Sequence, residues 1–329
     1  MKKVLLTGIS GFIGQHCAQQ LLSAGYAVKG SVRSLKKADA VRAAVGDSKH
    51  LEFCELDLLD DKGWDAAAAD CDFLMHVASP FFSKEPKDEN KLIKPAVEGT
   101  LRALGAAHKA GIQRVVLTSS MVAMLGELKG DAHITDKSWT DVHAKHATAY
   151  LKSKTLAEKA AWEFAKDKFE LVTVHPGPVF GPPLNDNISG ESMTMISNMI
   201  TGKIPMMFKA AINMSDVRDV AKIHVAALEN AAAANTRFVV ASETAHPFTE
   251  MTTILKSAGY EKVSTKVAPT FMVKFMANFD AEMRGMLPYV GKTYQADVRP
   301  TMQTFDWQPM QVKKMVLETA EAVGKILKS

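Results

Sequence analysis

The sequence predicts an α/β fold: a doubly wound parallel sheet with a smaller C-terminal lobe. Three observations carry that expectation. Through the first half of the chain, short β-branched or apolar runs alternate with amphipathic helical stretches, the pattern of βαβ units. A glycine-bearing turn joins the first run to the first helical stretch near the N-terminus. The 329 residues, 47% of them hydrophobic, suffice for a large core in one big unit or two closely joined ones.

Strands are expected at 3–7, 27–32, 51–56, 73–77, 114–118 and 171–175. Helices at 12–24, 35–44, 90–110 and 147–166 lie between them, and Gly25 and Gly111 stand where two of these should end. Pro95 falls in the first turns of the third helix, where it should kink or start the helix rather than abolish it. After His175 the texture changes. The run Pro176, Gly177, Pro178, Val179, Phe180, Gly181, Pro182, Pro183 cannot continue a helix or a central strand, so it reads as a structured loop leaving the sheet. Helices at 193–200, 217–230, 248–258 and 312–327 and a strand at 237–241 complete the pattern.

The bulk properties exclude several classes of function. The net charge of +4 is dispersed, with no block of Lys and Arg to track a phosphate backbone, so no nucleic-acid partner is expected. Apolar stretches such as 115–117 and 171–174 fall far short of the roughly 20 residues a spanning helix needs, so no membrane partner is expected either. The chain opens directly on strand-like residues, and the expected location is cytoplasmic. Cys17, Cys54 and Cys71 lack CxxC spacing and sit among apolar neighbours, which suits reduced, packed thiols; no metal site is expected.

Residues 4–14 read VLLTGISGFIG. A strand runs into Gly8, Gly11 and Gly14 and on into a helix that begins with Phe12 and Ile13. Glycines there permit a tight turn, let the backbone approach a pyrophosphate and leave the helix N-terminus free to face its charge. The fold is therefore expected to be of Rossmann type, with residues 1–175 as the dinucleotide-binding domain, returning near 214–242. Residues 176–329 then form mainly the lobe that holds the substrate.

The end of the second strand selects between NAD and NADP, because a carboxylate there would bind the ribose 2′-hydroxyl. This sequence has Arg33 instead, with Lys36 and Lys37 close behind, which suits a 2′-phosphate and predicts NADP(H). Two readings of Asp57 stand side by side: it accepts from the adenine amino group while Leu58 covers the ring, or it caps the following turn. The small residues Val77, Ala78 and Ser79 let the backbone pass beneath the cofactor. His76 before them reads as a packed strand residue.

Tyr150 and Lys154 stand four apart on a predicted helix, hence on one face and about a turn apart. A phenol is a poor acid or base at neutral pH, since its ordinary pKa is near 10, and a nearby ammonium is expected to bring it closer to working range. Lys154 has donors to spare for the nicotinamide ribose. The hydroxyl cluster Thr118, Ser119, Ser120 ends a strand that should face the same crevice as the glycine loop, so one of the two serines can donate to a substrate carbonyl oxygen.

With its TGxxGFxG loop (7–14), its serine-bearing strand end (118–120) and its YxxxK helix (150–154) in this order, the chain resembles an extended short-chain dehydrogenase/reductase. The resemblance continues through Pro176, Gly177 and Gly181, which match the loop implied to pass the nicotinamide, with Val179 among its cofactor-binding residues, and through residues 216–220. It is most similar to the branch of dihydroflavonol reductases, cinnamoyl-CoA reductases and microbial aldehyde or ketone reductases. The local matches are Val32-Arg33, Asp57-Leu58, 77–80 and 153–158. On that branch the resemblance implies that Ser120 is the catalytic serine and that Lys37 accompanies Arg33 at the 2′-phosphate. Leu125 stands where flavonoid reductases carry an asparagine, and the segment ending His146, Ala147, Thr148, Ala149, Tyr150 lacks the CoA-reductase signature. Both departures point away from plant-type substrates.

The resulting expectation is reversible, NADPH-dependent reduction of an aldehyde or ketone, with the proton supplied by Tyr150. The substrate wall is expected from Phe81, Phe82, Met121, Met124, Leu125, Met193, Met206, Met207 and Phe208, although methionines also serve as core fillers. A small carbonyl compound is the expected partner, and the resemblance allows a monomer or a homodimer. Two alternatives remain: an NAD-dependent sugar-nucleotide epimerase or dehydratase, which shares the Tyr/Lys pair, and a redox-sensing NADP-binding protein without chemistry.

Overall fold

A computed structural model describes residues 1–80, 86 and 88–328. Seven strands form the central sheet: β1 (Lys3–Thr7), β2 (Ala27–Val32), β3 (Leu51–Glu55), β4 (Phe73–His76), β5 (Arg114–Thr118), β6 (Glu170–Pro176) and β7 (Thr236–Val240). Their spatial order is β7-β6-β5-β4-β1-β2-β3, and every pairing is parallel. The order reverses between β1 and β4, and in such sheets a crevice opens there at the carboxyl ends of the strands. Thr7 pairs with His76 at that junction.

The strands are near-continuous apolar runs because helices cover both faces. Alternate residues sort accordingly. Val4, Leu6, Met75, Val116 and Val172 pack on one face with Cys17 and Leu21 of α1 (Phe12–Ser23), while Leu5, Leu74, Val115 and Leu171 meet Leu104 of α2 (Asn90–Lys109) and Ala161 of α3 (Ala149–Ala165) on the other. α2 runs on through Pro95, which does not abolish it. Gly25 and Gly111 follow the ends of α1 and α2 with φ of 84° and 75°, a region that costs glycine little.

A four-stranded sheet builds the second lobe, in the order His246–Pro247, Ala211–Ile212, Thr293–Ala296, Ala132–Ile134. Its core joins Met193, Ile196 and Met199 of helix Glu191–Ile200 to Val312, Met315 and Val316 of helix Val312–Ile326. The expected elements are all present, with differences at their ends. The segment expected as helix 35–44 starts as a 3₁₀ turn, Leu35–Lys37, before the α-helix Ala38–Val45. The helix expected over 217–230 stops at Ala226, because the Asn230 side chain caps a new 3₁₀ turn by accepting from Ala232 N at 2.9 Å. Helices Trp64–Ala68, Thr270–Met276, Ala281–Met286 and Arg299–Phe305 escape a reading of periodicity because each is two turns or less.

Candidate active site

Thr7 knots the switch point. Its hydroxyl oxygen accepts from the Val77 and Ala78 amides, each at 3.1 Å, and lies 2.8 Å from Nδ1 of the buried His76. Those bonds hold the segment after β4 against the glycine loop. Gly8 has φ of +71°, and a Cβ there would lie 2.8 Å from the Ala78 Cα. A Cβ on Gly14 would lie 2.1 Å from the Gly8 oxygen, so α1 packs directly on the turn. Gly11 is the N-cap of α1 and brings no side-chain acceptor, leaving the first-turn amides near Phe12 and Ile13 without a side-chain cap.

Arg33 follows β2 at the same end of the sheet and Lys37 lies beyond it; both are exposed and make no ion pair among the described residues. At Asp57 the turn reading is the one the geometry displays: Oδ1 accepts from Leu59 N at 2.9 Å. Leu58 packs over Gly99, where a Cβ would lie 2.7 Å from the Leu58 side chain.

β5 delivers three hydroxyls to the crevice, and they diverge. Thr118 Oγ1 lies 2.7 Å from Nε2 of the buried His224, and Ser119 donates to Glu158 at 2.6 Å. Ser120 turns the other way. Its oxygen accepts from Val122 N at 3.3 Å, and its side chain shares a hydrogen bond with the Tyr150 phenol. Thr148 caps α3 by accepting from Leu151 N at 3.3 Å, which sets Tyr150 in the first turn, half-buried. Lys154 follows one turn later and is buried at 9% exposure. It makes no hydrogen bond or ion pair among the described residues, and it lines a small cleft with Ala78, Ser79, Thr118, Ser119 and Glu158.

The electrostatics depart from expectation. Burial pushes the Tyr150 phenol up to about 12, helped by the Glu191 carboxylate and opposed by the Ser120 hydrogen bond. Burial pulls the Lys154 ammonium down to about 8, opposed by the charge of Glu158. The net shift is thus upward, against the expectation that Lys154 brings the phenol toward neutral pH: burial is the largest cause, and the group that lowers the phenol is Ser120.

Beyond β6, Gly177 N donates to Ser215 Oγ at 2.8 Å, and a Cβ on Gly177 would lie 2.1 Å from the Asn213 oxygen. Pro176 ends the strand and Val179 starts the short pairing Val179–Phe180 with Ser215–Asp216, so this loop is pinned beside the cleft. Most of the expected substrate wall proves to be core. Met121, Met124, Leu125, Met193 and Met207 are at most 2% exposed, which is the gap-filling alternative, while Met206 and Phe208 are partly buried. Phe81 and Phe82 lie outside the described residues. The cysteines are free; Cys17 and Cys71 are buried and Cys54 half-buried, with burial pushing the Cys54 thiol up to about 11.

The sequence reading misses a charged cluster under the cleft: Glu158 with Arg237, His175, Thr173 and Trp162. Its signal is faint but present. Glu158 stands four residues after Lys154, as Lys154 does after Tyr150, so all three share one face of α3.

The model of the NAD dependent epimerase/dehydratase family matches residues 4–241. The chain is an extended short-chain dehydrogenase/reductase. Among curated relatives, an uncharacterized oxidoreductase of Schizosaccharomyces pombe is 40% identical over 261 residues, 73% of this chain and 77% of that protein. A cinnamoyl-CoA reductase of Medicago truncatula is 35% identical over 263 residues, 77% of this chain and 79% of that one. Among solved structures, yeast methylglyoxal/isovaleraldehyde reductase Gre2 complexed with NADPH superposes with a TM-score of 0.79 at 27% identity, covering 99% of both chains. Within the family the chain thus falls in the dihydroflavonol reductase-like branch. No described helix is long and apolar enough to cross a membrane.

Proposed function

We propose that this protein reduces a small or medium aldehyde or ketone to its alcohol with NADPH. Its relatives are reductases and oxidoreductases, and the structurally similar Gre2 is a methylglyoxal/isovaleraldehyde reductase complexed with NADPH. One observation carries the chemistry: the Ser120–Tyr150 hydrogen bond stands one helical turn from a buried ammonium, beside the switch point of the sheet.

The residues present fit NADP(H). The Lys154 ammonium is nine-tenths buried, has no partner among the described residues and lines the cleft. The uncapped α1 terminus, with the glycines that bring it against Ala78, suits a pyrophosphate. Arg33 and Lys37 suit the 2′-phosphate, Leu58 and the Asp57 oxygen not engaged by Leu59 N suit the adenine, and Val77, Ala78, Ser79, Thr118, Pro176, Gly177 and Val179 suit the nicotinamide half. When bound, the cofactor supplies the hydride that goes to the carbonyl carbon.

Ser120 and Tyr150 donate hydrogen bonds to the carbonyl oxygen and hold it where negative charge develops. Tyr150 then gives that oxygen its proton. A phenol pushed up to about 12 stays protonated through the neutral range, which suits an acid in the reducing direction. Once the alcohol has formed, the Ser120 hydroxyl turns back to the phenolate and donates to it, restoring the hydrogen bond that lowers the phenol. Lys154 would hold the nicotinamide ribose, since an ammonium has three donors. The protein works in the cytoplasm as a monomer or homodimer.

Purified protein incubated with NADPH and a panel of aldehydes and ketones should oxidise the cofactor, and failure across the panel overturns the proposal. Stoichiometric NAD retained through purification would favour a sugar-nucleotide epimerase instead. Arg33 argues against that, since a guanidinium replaces the carboxylate that would bind the NAD ribose.

A further inference from the structure

Glu158 is 1% exposed, and it is crowded with donors. Ser119 Oγ from the end of β5 reaches Oε2 at 2.6 Å, and Arg237 Nε from β7 reaches Oε1 at 2.8 Å. His175 Nε2 and Thr173 Oγ1 from β6 lie 2.8 and 3.3 Å from Oε1, and Trp162 Nε1 of the same helix lies at 3.1 Å. Arg237 is itself anchored, donating to the Asp136 and Ser138 carbonyls at 2.6 and 2.7 Å and stacking on Trp139. Burial opposes ionisation of Glu158, but His175 and Arg237 overcome it and hold the carboxyl well below the usual range. Desolvating a carboxylate is costly, and a hydrophobic residue would fill such a space more cheaply. The charge sits where one wall of the cleft is made.

We propose that Glu158 is a positioning residue of the reductase site. Its carboxylate locks the Ser119 hydroxyl, and so the strand end that carries Ser120. It also sets a permanent negative charge one helical turn from the Lys154 ammonium, whose surroundings offer no other counter-charge among the described residues. The other titratable groups in this wall are His76 of β4 and His224, which bonds Thr118; burial pulls both below their ordinary range, so neither competes for the role. This inference rests on the reading of Ser120 and Lys154 given above.

The test compares the native protein with Glu158→Gln, which keeps the shape and loses the charge. NMR titration of lysine labelled at Cε, with Lys154 assigned through Lys154→Arg, reads the ammonium without any assay of turnover. Lys154 should titrate near 8 in the native protein and about one pH unit lower in Glu158→Gln. The alkaline fall of kcat and of NADPH affinity should move with it. An unchanged Lys154 titration in a folded variant overturns the charge role, whatever the substrate. If Glu158→Gln does not fold, Glu158→Asp is used, which keeps the charge at shorter reach and should leave the Lys154 titration in place; a shift of one unit there overturns it. Ser119→Ala tests the lock: kcat should fall severalfold with the Lys154 titration and NADPH affinity retained, and an unchanged kcat overturns that half. Absence of turnover with every carbonyl compound while Lys154 still responds to Glu158 would sink the reductase reading and leave the coupling standing.

Discussion

The two sides of the cleft are made differently. The glycine-loop side is built from backbone: Gly8, Gly14 and Ala78 approach so closely that a single added carbon would collide. The side facing the second lobe is built from side chains that meet from distant parts of the chain, such as Ser120 with Tyr150 and Ser119 with Glu158 and Arg237. Backbone construction tolerates almost no substitution and leaves a pattern along the sequence. Side-chain construction tolerates exchange of individual groups and leaves little pattern, but each group carries a separable chemical role.

That contrast predicts opposite phenotypes. The largest effect is expected at Tyr150→Phe, where kcat should fall about 10²- to 10⁴-fold, the range of a lost general acid, with the fold and NADPH binding intact. Steady-state kinetics beside a cofactor titration would check it, and an unaltered kcat would remove Tyr150 from the mechanism. Gly14→Ala should behave in the reverse sense. Its Cβ would stand 2.1 Å from the Gly8 oxygen, so α1 must shift, NADPH affinity should drop at least tenfold, and the melting temperature should fall as overpacking costs about 1–3 kcal/mol. If Gly14→Ala bound NADPH normally, the backbone account of that side would fail.

The same contrast explains what was legible in the sequence. The order of strands and helices and the glycine turn could be read because each rests on residues close together in the chain. Tyr150 and Lys154 are legible because α3 itself sets their spacing, whereas the strand end offers Ser119 and Ser120 alike and only the resemblance singles out Ser120. For the wall methionines composition leaves lining and core filling both open, and only packing shows that Met121, Met193 and Met207 are buried. The protonation state of Tyr150 is not legible in the sequence for a related reason. Spacing reports that Lys154 is near, whereas desolvation, which wins, depends on everything else packed around the phenol. Glu158 went unread because its partners come from β5, β6 and β7.

A smaller effect separates the adenosine end from both. Arg33 is exposed and touches no acidic group among the described residues, so its removal costs the fold nothing specific. Arg33→Ala should weaken NADPH binding about 10- to 100-fold, the worth of a charge-assisted bond to a phosphate, while NADH binding stays as it was. Paired titrations with the two cofactors distinguish this from general damage, which would weaken both. Equal losses would mean that the 2′-phosphate is held elsewhere.

The smallest effect tests whether the backbone-built side is sensitive to acid. Thr7 takes two amide donors, so its own proton goes to His76 Nδ1, which must be an unprotonated acceptor. His224 is arranged likewise: Nδ1 donates to the Val220 carbonyl at 2.7 Å, leaving Nε2 to accept from Thr118. Burial, joined by the Lys154 charge, pulls His76 down to about 3, and burial pulls His224 down to about 4, from an ordinary 6.5. Both folded values lie below the unfolded one, so the unfolded chain binds protons first. The stability these neutral rings contribute is complete above pH 6.5 and is lost as pH falls from there through 4 and then 3. Between pH 7.5 and 6 the pair should cost about 1–2 kcal/mol, seen as a falling melting temperature. His224→Gln, which cannot titrate, should remove about half of that slope. A native melting temperature independent of pH across this interval would show that the rings are not held neutral, and the Thr7 knot would have to be drawn with the opposite proton.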